Sequence, residues 1–82
     1  MKATVYVTVK ENVLDPQGKA VRGALHSMGF GEVSEVRIGK YMELRLDTTD
    51  RAAAEERVRA MCEKLLANTV IEDYRFELKE DA

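Results

Sequence analysis

The hydrophobic and polar positions along this 82-residue chain predict the order strand, helix, strand, strand, helix, strand. Residues 3–9 alternate between apolar and polar side chains, which is typical of a strand with one buried face. Residues 16–28 carry apolar side chains at helical spacing, and Asp15 is placed to cap the first turn. Residues 34–47 then predict a hairpin that reverses at Gly39-Lys40.

The second half of the chain predicts a helix that begins near residues 48–50 and a last strand over residues 73–78. The apolar stripe of that helix predicts a buried face made of Ala54, Val58, Met61, Cys62 and Leu65. This order of elements predicts an α+β fold of the ferredoxin-like βαββαβ type. Two helices would cover one face of a four-stranded antiparallel sheet, with the first and third strands in its centre. Residues 1–82 are predicted to form a single domain, with a frayed polar tail over residues 79–82.

Charge and composition narrow the class of function. Thirteen basic against fifteen acidic residues give a formal net charge of −2, which argues against a domain that binds nucleic acid through its phosphates. No apolar stretch approaches the ~18 residues that a membrane span requires, and the alternating N-terminus does not resemble a signal peptide. A single cysteine suits a reducing compartment. These features together predict a cytoplasmic protein without a membrane or nucleic-acid partner.

The residues that could carry catalysis do not form a recognisable catalytic set. Cys62 lies on the apolar stripe of its helix, so core packing is favoured over a role as nucleophile. His26 is predicted on the exposed side of the first helix, and one histidine with one cysteine does not make a zinc site. The carboxylates of Glu72 and Asp73 point to opposite faces of their strand. We therefore predict no catalytic residue and no metal site on this chain.

Two short segments are not fully explained by local propensity. Gly18 lies in the first turn of a helix, where glycine costs up to about 1 kcal/mol relative to alanine. It therefore indicates close approach of another backbone, either within the chain or from a partner. Gly39-Lys40 does not resemble a phosphate-binding loop, because a strand rather than a helix follows it. A turn glycine is the favoured interpretation, with Lys40 projecting towards an anionic partner.

The open face of the predicted sheet carries aromatic side chains among mixed charges. Its candidate self-association residues are Tyr6, Tyr41, Arg45 and Arg75. Aromatic residues on such a sheet can also stack on RNA bases. The segment 41–46 lacks the basic, aromatic-rich motif that RNA-recognition folds carry on their third strand, and it contains an acid. Self-association or partner binding is therefore preferred for this face.

Three segments together resemble the PurS family, the small subunit of phosphoribosylformylglycinamidine synthase. They are Val13-Leu14-Asp15-Pro16-Gln17-Gly18, Gly39-Lys40-Tyr41-Met42-Glu43-Leu44 and Leu65-Leu66-Ala67-Asn68-Thr69-Val70-Ile71-Glu72-Asp73-Tyr74. Their order and spacing extend the resemblance over almost the whole chain. Thr69 departs from the pattern, because many members of the family carry proline there.

The resemblance implies a non-catalytic assembly subunit in de novo purine biosynthesis. Such a subunit forms a homodimer or higher homo-oligomer and bridges a PurQ-like glutaminase and a PurL-like, ATP-dependent synthetase, supporting ammonia transfer between them. The complex would use ATP, Mg and glutamine, with no cofactor on this chain. The predicted partner-contact residues are Asp15, Pro16, Gln17, Gly18, Gly39, Lys40, Asn68, Ile71, Glu72, Asp73 and Tyr74. A small-molecule-sensing regulatory domain of ferredoxin-like fold is the alternative, since it shares this order of elements.

Overall fold

The computed structural model describes residues 1–80 and shows an antiparallel sheet with two helices. The elements are β1 (Lys2–Val9), α1 (Pro16–Ser27), β2 (Gly39–Arg45), α2 (Arg51–Met61) and β3 (Glu72–Lys79). Strand β1 is central and pairs antiparallel with β2 on one side and β3 on the other. The α+β class and the antiparallel sheet are thereby confirmed. Lys79 belongs to β3, and positions 81–82 of the predicted frayed tail lie outside the described residues.

The core is one layer between the sheet and helix α2. Ala3, Val5 and Val7 of β1 are fully buried, as the alternating pattern of this strand requires. They pack with Val58 and Cys62, which are equally inaccessible to solvent. The flanking strands add half-buried apolar side chains, namely Met42, Leu44, Tyr74, Phe76 and Leu78. The predicted inward positions Ala54, Val58 and Cys62 are therefore confirmed, whereas Met61 is half-buried and lies outside the core cluster.

Beyond that point α2 runs into a π-helical turn, Cys62–Leu66. The Ala67 amide donates to the Cys62 carbonyl at 3.0 Å, five residues back rather than four. The wider turn rotates the following side chains about the helix axis. Leu66 consequently packs against the core, and Leu65 is 83% exposed. The prediction that Leu65 lies on the buried face was wrong for this reason.

The predicted four-stranded sheet is also corrected, because three strands are present over residues 1–80. Residues 34–38 do not form the first strand of a hairpin. This segment instead lies against the start of α1, where the Ile38 amide donates a hydrogen bond to the Asp15 carboxylate at 3.0 Å. Gly39 begins β2 rather than turning a hairpin, and a Cβ there would clash with the Val7 carbonyl oxygen. With no fourth strand beside it, β2 is an edge strand.

Helix α1 does not cover the sheet as the ferredoxin-like arrangement required. Its one buried residue is Gly18, whereas Val21 is 39% exposed and Met28, directly after the helix, is 70% exposed. Within residues 1–80, no α1 side chain joins the apolar core. The helix is held through its first turn by residues 34–38, and that segment is not part of the sheet. Gly29 follows the helix with a positive φ of 99°, a backbone conformation that favours glycine.

The resulting shape is elongated and thin. The radius of gyration is 16.2 Å, compared with about 12 Å for a compact domain of this length. The accessible surface is 6121 Å², compared with about 5,000 Å² for a compact monomer of 9.3 kDa. The excess is comparable to the ~800 Å² that each partner buries in a standard protein–protein interface. Neither helix of residues 1–80 is long and apolar enough to cross a membrane.

Candidate functional site

The three segments predicted to contact partners converge at one end of the sheet. Thr8 of β1 pairs with Gly39 on one side and with Asp73 on the other. The hydrogen bond from the Ile38 amide places Asp15 beside the start of β2. We call this region the Thr8 end of the sheet; it comprises Thr8, Asp15–Gly18, Gly39-Lys40 and Asn68–Tyr74. Sequence reasoning chose these segments separately, and the fold brings them together.

Asp15 joins the start of helix α1 to the segment before β2. One carboxylate oxygen, Oδ1, accepts from the Gly18 amide, and Oδ2 accepts from the Ile38 amide, both at 3.0 Å. The cap predicted from the sequence is therefore present, and it has a second partner that local spacing could not show. A Cβ on Gly18 would clash with the Val36 carbonyl oxygen. The close approach predicted at Gly18 is thus made within the chain.

These hydrogen bonds predict how stability depends on pH. The Ile38 amide first, and the Gly18 amide next, lower the pKa of Asp15 from its ordinary value of 3.8. A carboxyl with a lowered folded-state pKa contributes stability above its unfolded pKa and loses it as pH falls through the folded value. Denaturant unfolding below about pH 4 should therefore show a steeper loss for the parent chain than for Asp15→Asn. Identical acid profiles for the two proteins would contradict this role of Asp15.

Residues 68–71 form a turn that leads into β3 and is closed by local hydrogen bonds. The side-chain oxygen of Asn68 accepts from the Val70 amide at 3.2 Å, and Glu72 accepts from the Asn68 amide at 2.7 Å. The Tyr74 hydroxyl donates to Glu63 at 3.2 Å. In this turn the side chain of Val70 is 80% exposed and that of Ile71 is 41% exposed. Apolar side chains fixed outward in this way are suited to contact with a partner.

The turn is also fastened to the end of β1. The Lys10 amide donates to the Ile71 carbonyl at 2.9 Å, and the Lys10 ammonium lies 3.7 Å from the Asp73 carboxylate. Asp73 therefore points away from Glu72, as the strand alternation predicted. The two carboxylates have different local partners, which agrees with the interpretation that they are not a catalytic pair.

The open face of the sheet centres on Tyr6. Its ring meets Tyr41 edge to face at 5.5 Å between centroids, and the Arg75 guanidinium lies 3.8 Å from its centroid. Tyr41 donates to Glu43 at 2.8 Å, and this hydrogen bond is the main cause that raises the pKa of the Tyr41 hydroxyl. The structure thus brings together three of the four predicted oligomer-face residues. Arg45 lies at the opposite end of the strand pair, beside Lys2.

The surroundings of the single cysteine and the single histidine indicate roles in packing and hydrogen bonding rather than in catalysis. Cys62 is fully buried, and burial raises the pKa of its thiol, so the reactive thiolate is disfavoured. His26 is exposed, and its Nε2 lies 2.6 Å from the Val33 carbonyl oxygen. Across residues 1–80 there is no group of three or more His, Cys, Asp or Glu side chains suited to a metal ion.

Sequence reasoning missed one feature near the Thr8 end. A groove of about 520 Å³ lies between the loop after β1, the first turns of α1 and the segment 34–37. Four basic residues line it, namely Lys10, Lys19, Arg22 and Arg37, together with the carboxylates of Glu11, Asp15 and Glu35. The sequence did not predict that these side chains lie together, because residue 37 was assigned to a strand of the sheet. It follows from the path of residues 34–38 past the start of α1.

Exposed apolar side chains on α1 and in the 65–71 region define this chain as a protein–protein interaction domain. Comparison with known proteins specifies which one. Residues 2–80 match the family model described as PurS, phosphoribosylformylglycinamidine (FGAM) synthase. The chain therefore belongs to the PurS family.

Individual relatives agree with that assignment. The chain is 63% identical to phosphoribosylformylglycinamidine synthase subunit PurS of Bacillus subtilis (strain 168) over 79 residues, 96% of this chain and 93% of that protein. A crystal structure of B. subtilis PurS superposes with a TM-score of 0.86 at 63% identity, covering 96% of this chain and 98% of that one. A chain in the structure of PurLQS from Thermotoga maritima gives a TM-score of 0.84 at 32% identity, with 93% of each chain covered.

Proposed function

We propose that this chain is the non-catalytic assembly subunit of phosphoribosylformylglycinamidine synthase in de novo purine biosynthesis. It acts within a glutamine-dependent ligase complex, between a PurQ-like glutaminase and a PurL-like synthetase, and it supports ammonia transfer between them. Family membership and the likeness to a chain of PurLQS support this role. The same role assigns the protein to the cytoplasm. ATP, Mg and glutamine serve the chemistry of the larger subunits, with no cofactor on this chain.

One observation of the structure carries the proposal: three separate segments meet at the Thr8 end of the sheet. Hydrogen bonds of Asp15 and Asn68 order two of these segments, the third pairs with β1, and apolar side chains are exposed beside them. Leu14 is 67% and Val70 is 80% exposed. A preorganised patch of this kind binds a protein partner with little loss of conformational entropy.

A homo-oligomer is the second part of the proposal. Helix α1 and the residues directly after it present Val21, Met28 and Phe30 to solvent. The surface in excess of a compact monomer is sufficient for one standard interface per chain. A second copy that covers α1 would supply the burial that the chain's own sheet does not.

Substitution at the exposed turn provides a direct test of assembly. Val70→Asp places a charge on the patch, and we expect at least about a tenfold weaker association with the glutaminase and synthetase subunits. Glutamine-dependent synthesis should fall in parallel, and ammonium-dependent synthesis by the large subunit should be retained. Co-expression of the three subunits and sizing with Mg-ADP and glutamine measures the assembly.

Ala52→Asp is the matched control, because Ala52 is exposed on α2 and lies outside the Thr8 end. It should assemble as the parent chain does. Equal losses of glutamine- and ammonium-dependent activity on deletion of this chain would contradict a bridging role. Full assembly by Val70→Asp would remove the Thr8 end from the interface.

A further inference from the structure

The groove beside the Thr8 end has the dimensions of a small-molecule site. Its volume of about 520 Å³ falls within the ~300–1,000 Å³ of typical ligand pockets. Val13 and Leu14 form an apolar part of its wall. Positive charge comes from Lys19, Arg22 and Arg37. A ligand with an anionic group and an uncharged body would match both parts.

Arg37 has hydrogen-bonding capacity that the chain itself does not use. Its Nη2 atom is buried and has no hydrogen-bond partner within residues 1–80. A buried donor of a charged group without a partner is costly, so an acceptor supplied from outside would be favoured. The nearby Asp15 carboxylate already accepts two backbone amides, one at each oxygen. The Gly18 amide at the start of α1 already donates to Asp15 and is not free to bind an anion. An anion in the groove would therefore have to bind the basic side chains.

The groove carries a small excess of positive charge, because four cations and three carboxylates line it. No salt bridge in residues 1–80 involves Lys19, Arg22 or Arg37. Asp15, Glu11 and Glu35 also line the groove. Both oxygens of Asp15 already accept backbone amides, and Glu11 and Glu35 are exposed to water, which weakens their field. Lys10, the remaining cation, is already paired with Asp73. Three cations without a salt bridge in residues 1–80, two of them guanidinium groups, suit a phosphate ligand.

We propose that this groove binds the phosphate group of a small phosphate monoester. Arg37 contacts the phosphate with support from Arg22 and Lys19, and the organic part lies against Val13 and Leu14. The proposal does not depend on the assembly role, because the isolated chain contains every residue that it uses. It adds a metabolite-binding site to a subunit for which no ligand of its own was predicted.

Titration of the complete, isotope-labelled chain with ribose 5-phosphate, inorganic phosphate and ribose tests the site by NMR. Ribose 5-phosphate should shift the side-chain signals of Arg37 and Arg22 saturably. Inorganic phosphate should shift the same signals more weakly, and ribose should not shift them. Arg37→Gln should weaken binding of ribose 5-phosphate about tenfold, since it removes a charged donor.

Arg57→Gln is the matched control: it makes the same chemical change at an exposed α2 position outside the groove. It should change the affinity by less than about twofold. If Arg37→Gln does not fold, Arg22→Gln at an exposed α1 position tests the same site and should weaken binding severalfold. Equal effects of Arg57→Gln and the groove variants would overturn the proposal. So would the absence of saturable shifts up to about 10 mM ribose 5-phosphate.

Discussion

Val58→Asp should abolish the cooperative unfolding transition of the isolated chain. Val58 is fully inaccessible to solvent and lies between α2 and the central strand. A carboxylate there has no polar partner, and burying such a group costs about 4 kcal/mol or more. An 82-residue domain has about 4–12 kcal/mol of stability in total. Circular dichroism during urea titration should show a population that is largely unfolded before denaturant is added.

Val70→Asp makes the same chemical change at a side chain that is 80% exposed. Its free energy of unfolding should remain within about 0.5 kcal/mol of the parent value. A cooperative transition of ordinary midpoint in Val58→Asp would show that the single core layer is not what stabilises the fold.

Gly18→Ala should destabilise the chain by about 1–3 kcal/mol, although alanine is the better helix former. The new methyl group would meet the Val36 carbonyl oxygen, which is backbone and cannot rotate away. Separation of the two segments would also strain the hydrogen bond between Asp15 and the Ile38 amide. Chemical denaturation gives the free-energy change, and faster exchange of the Ile38 amide proton would locate it.

Gly23→Ala, in the same helix, should have the opposite sign. A Cβ at Gly23 meets nothing within 4 Å, so the gain in helix propensity, about 0.5–1 kcal/mol, is realised in full. If both substitutions stabilise the chain, the contact between α1 and residues 34–38 is not a packing constraint.

The elements that the sequence predicted correctly are those whose pattern is decided locally. The alternation of Ala3, Val5 and Val7 specifies a strand with one buried face in any fold that covers that face. Asp15 was predicted as a helix cap, and its side chain accepts from the Gly18 amide. The second helix was predicted to begin near residues 48–50, and Asp50 caps it by accepting from the Ala53 amide. The open face followed from the same period of two, and the register places Tyr6 between Tyr41 and Arg75.

The errors arose where a distant part of the chain decided the outcome. Residues 34–38 have the alternation of a strand, but Asp15, more than twenty positions earlier, captures the Ile38 amide. The hydrophobic stripe of α1 predicted a buried helix. Such a stripe does not distinguish burial against the chain's own sheet from burial against a binding partner. Leu65 was misplaced because one additional residue in a helical turn leaves no trace in the periodicity. The basic groove could not be predicted, since it exists only through the path of residues 34–38.

Because α1 does not cover the sheet, a copy of this chain without partners exposes apolar surface, and this affects its lifetime in the cell. Binding partners stabilise a folded chain by mass action, so copies outside a complex unfold more often than copies within one. The thin core gives those free copies little reserve against local opening and proteolysis. Cellular turnover should therefore remove copies made in excess of their companions, and the amount of this chain should follow the abundance of whatever it assembles with.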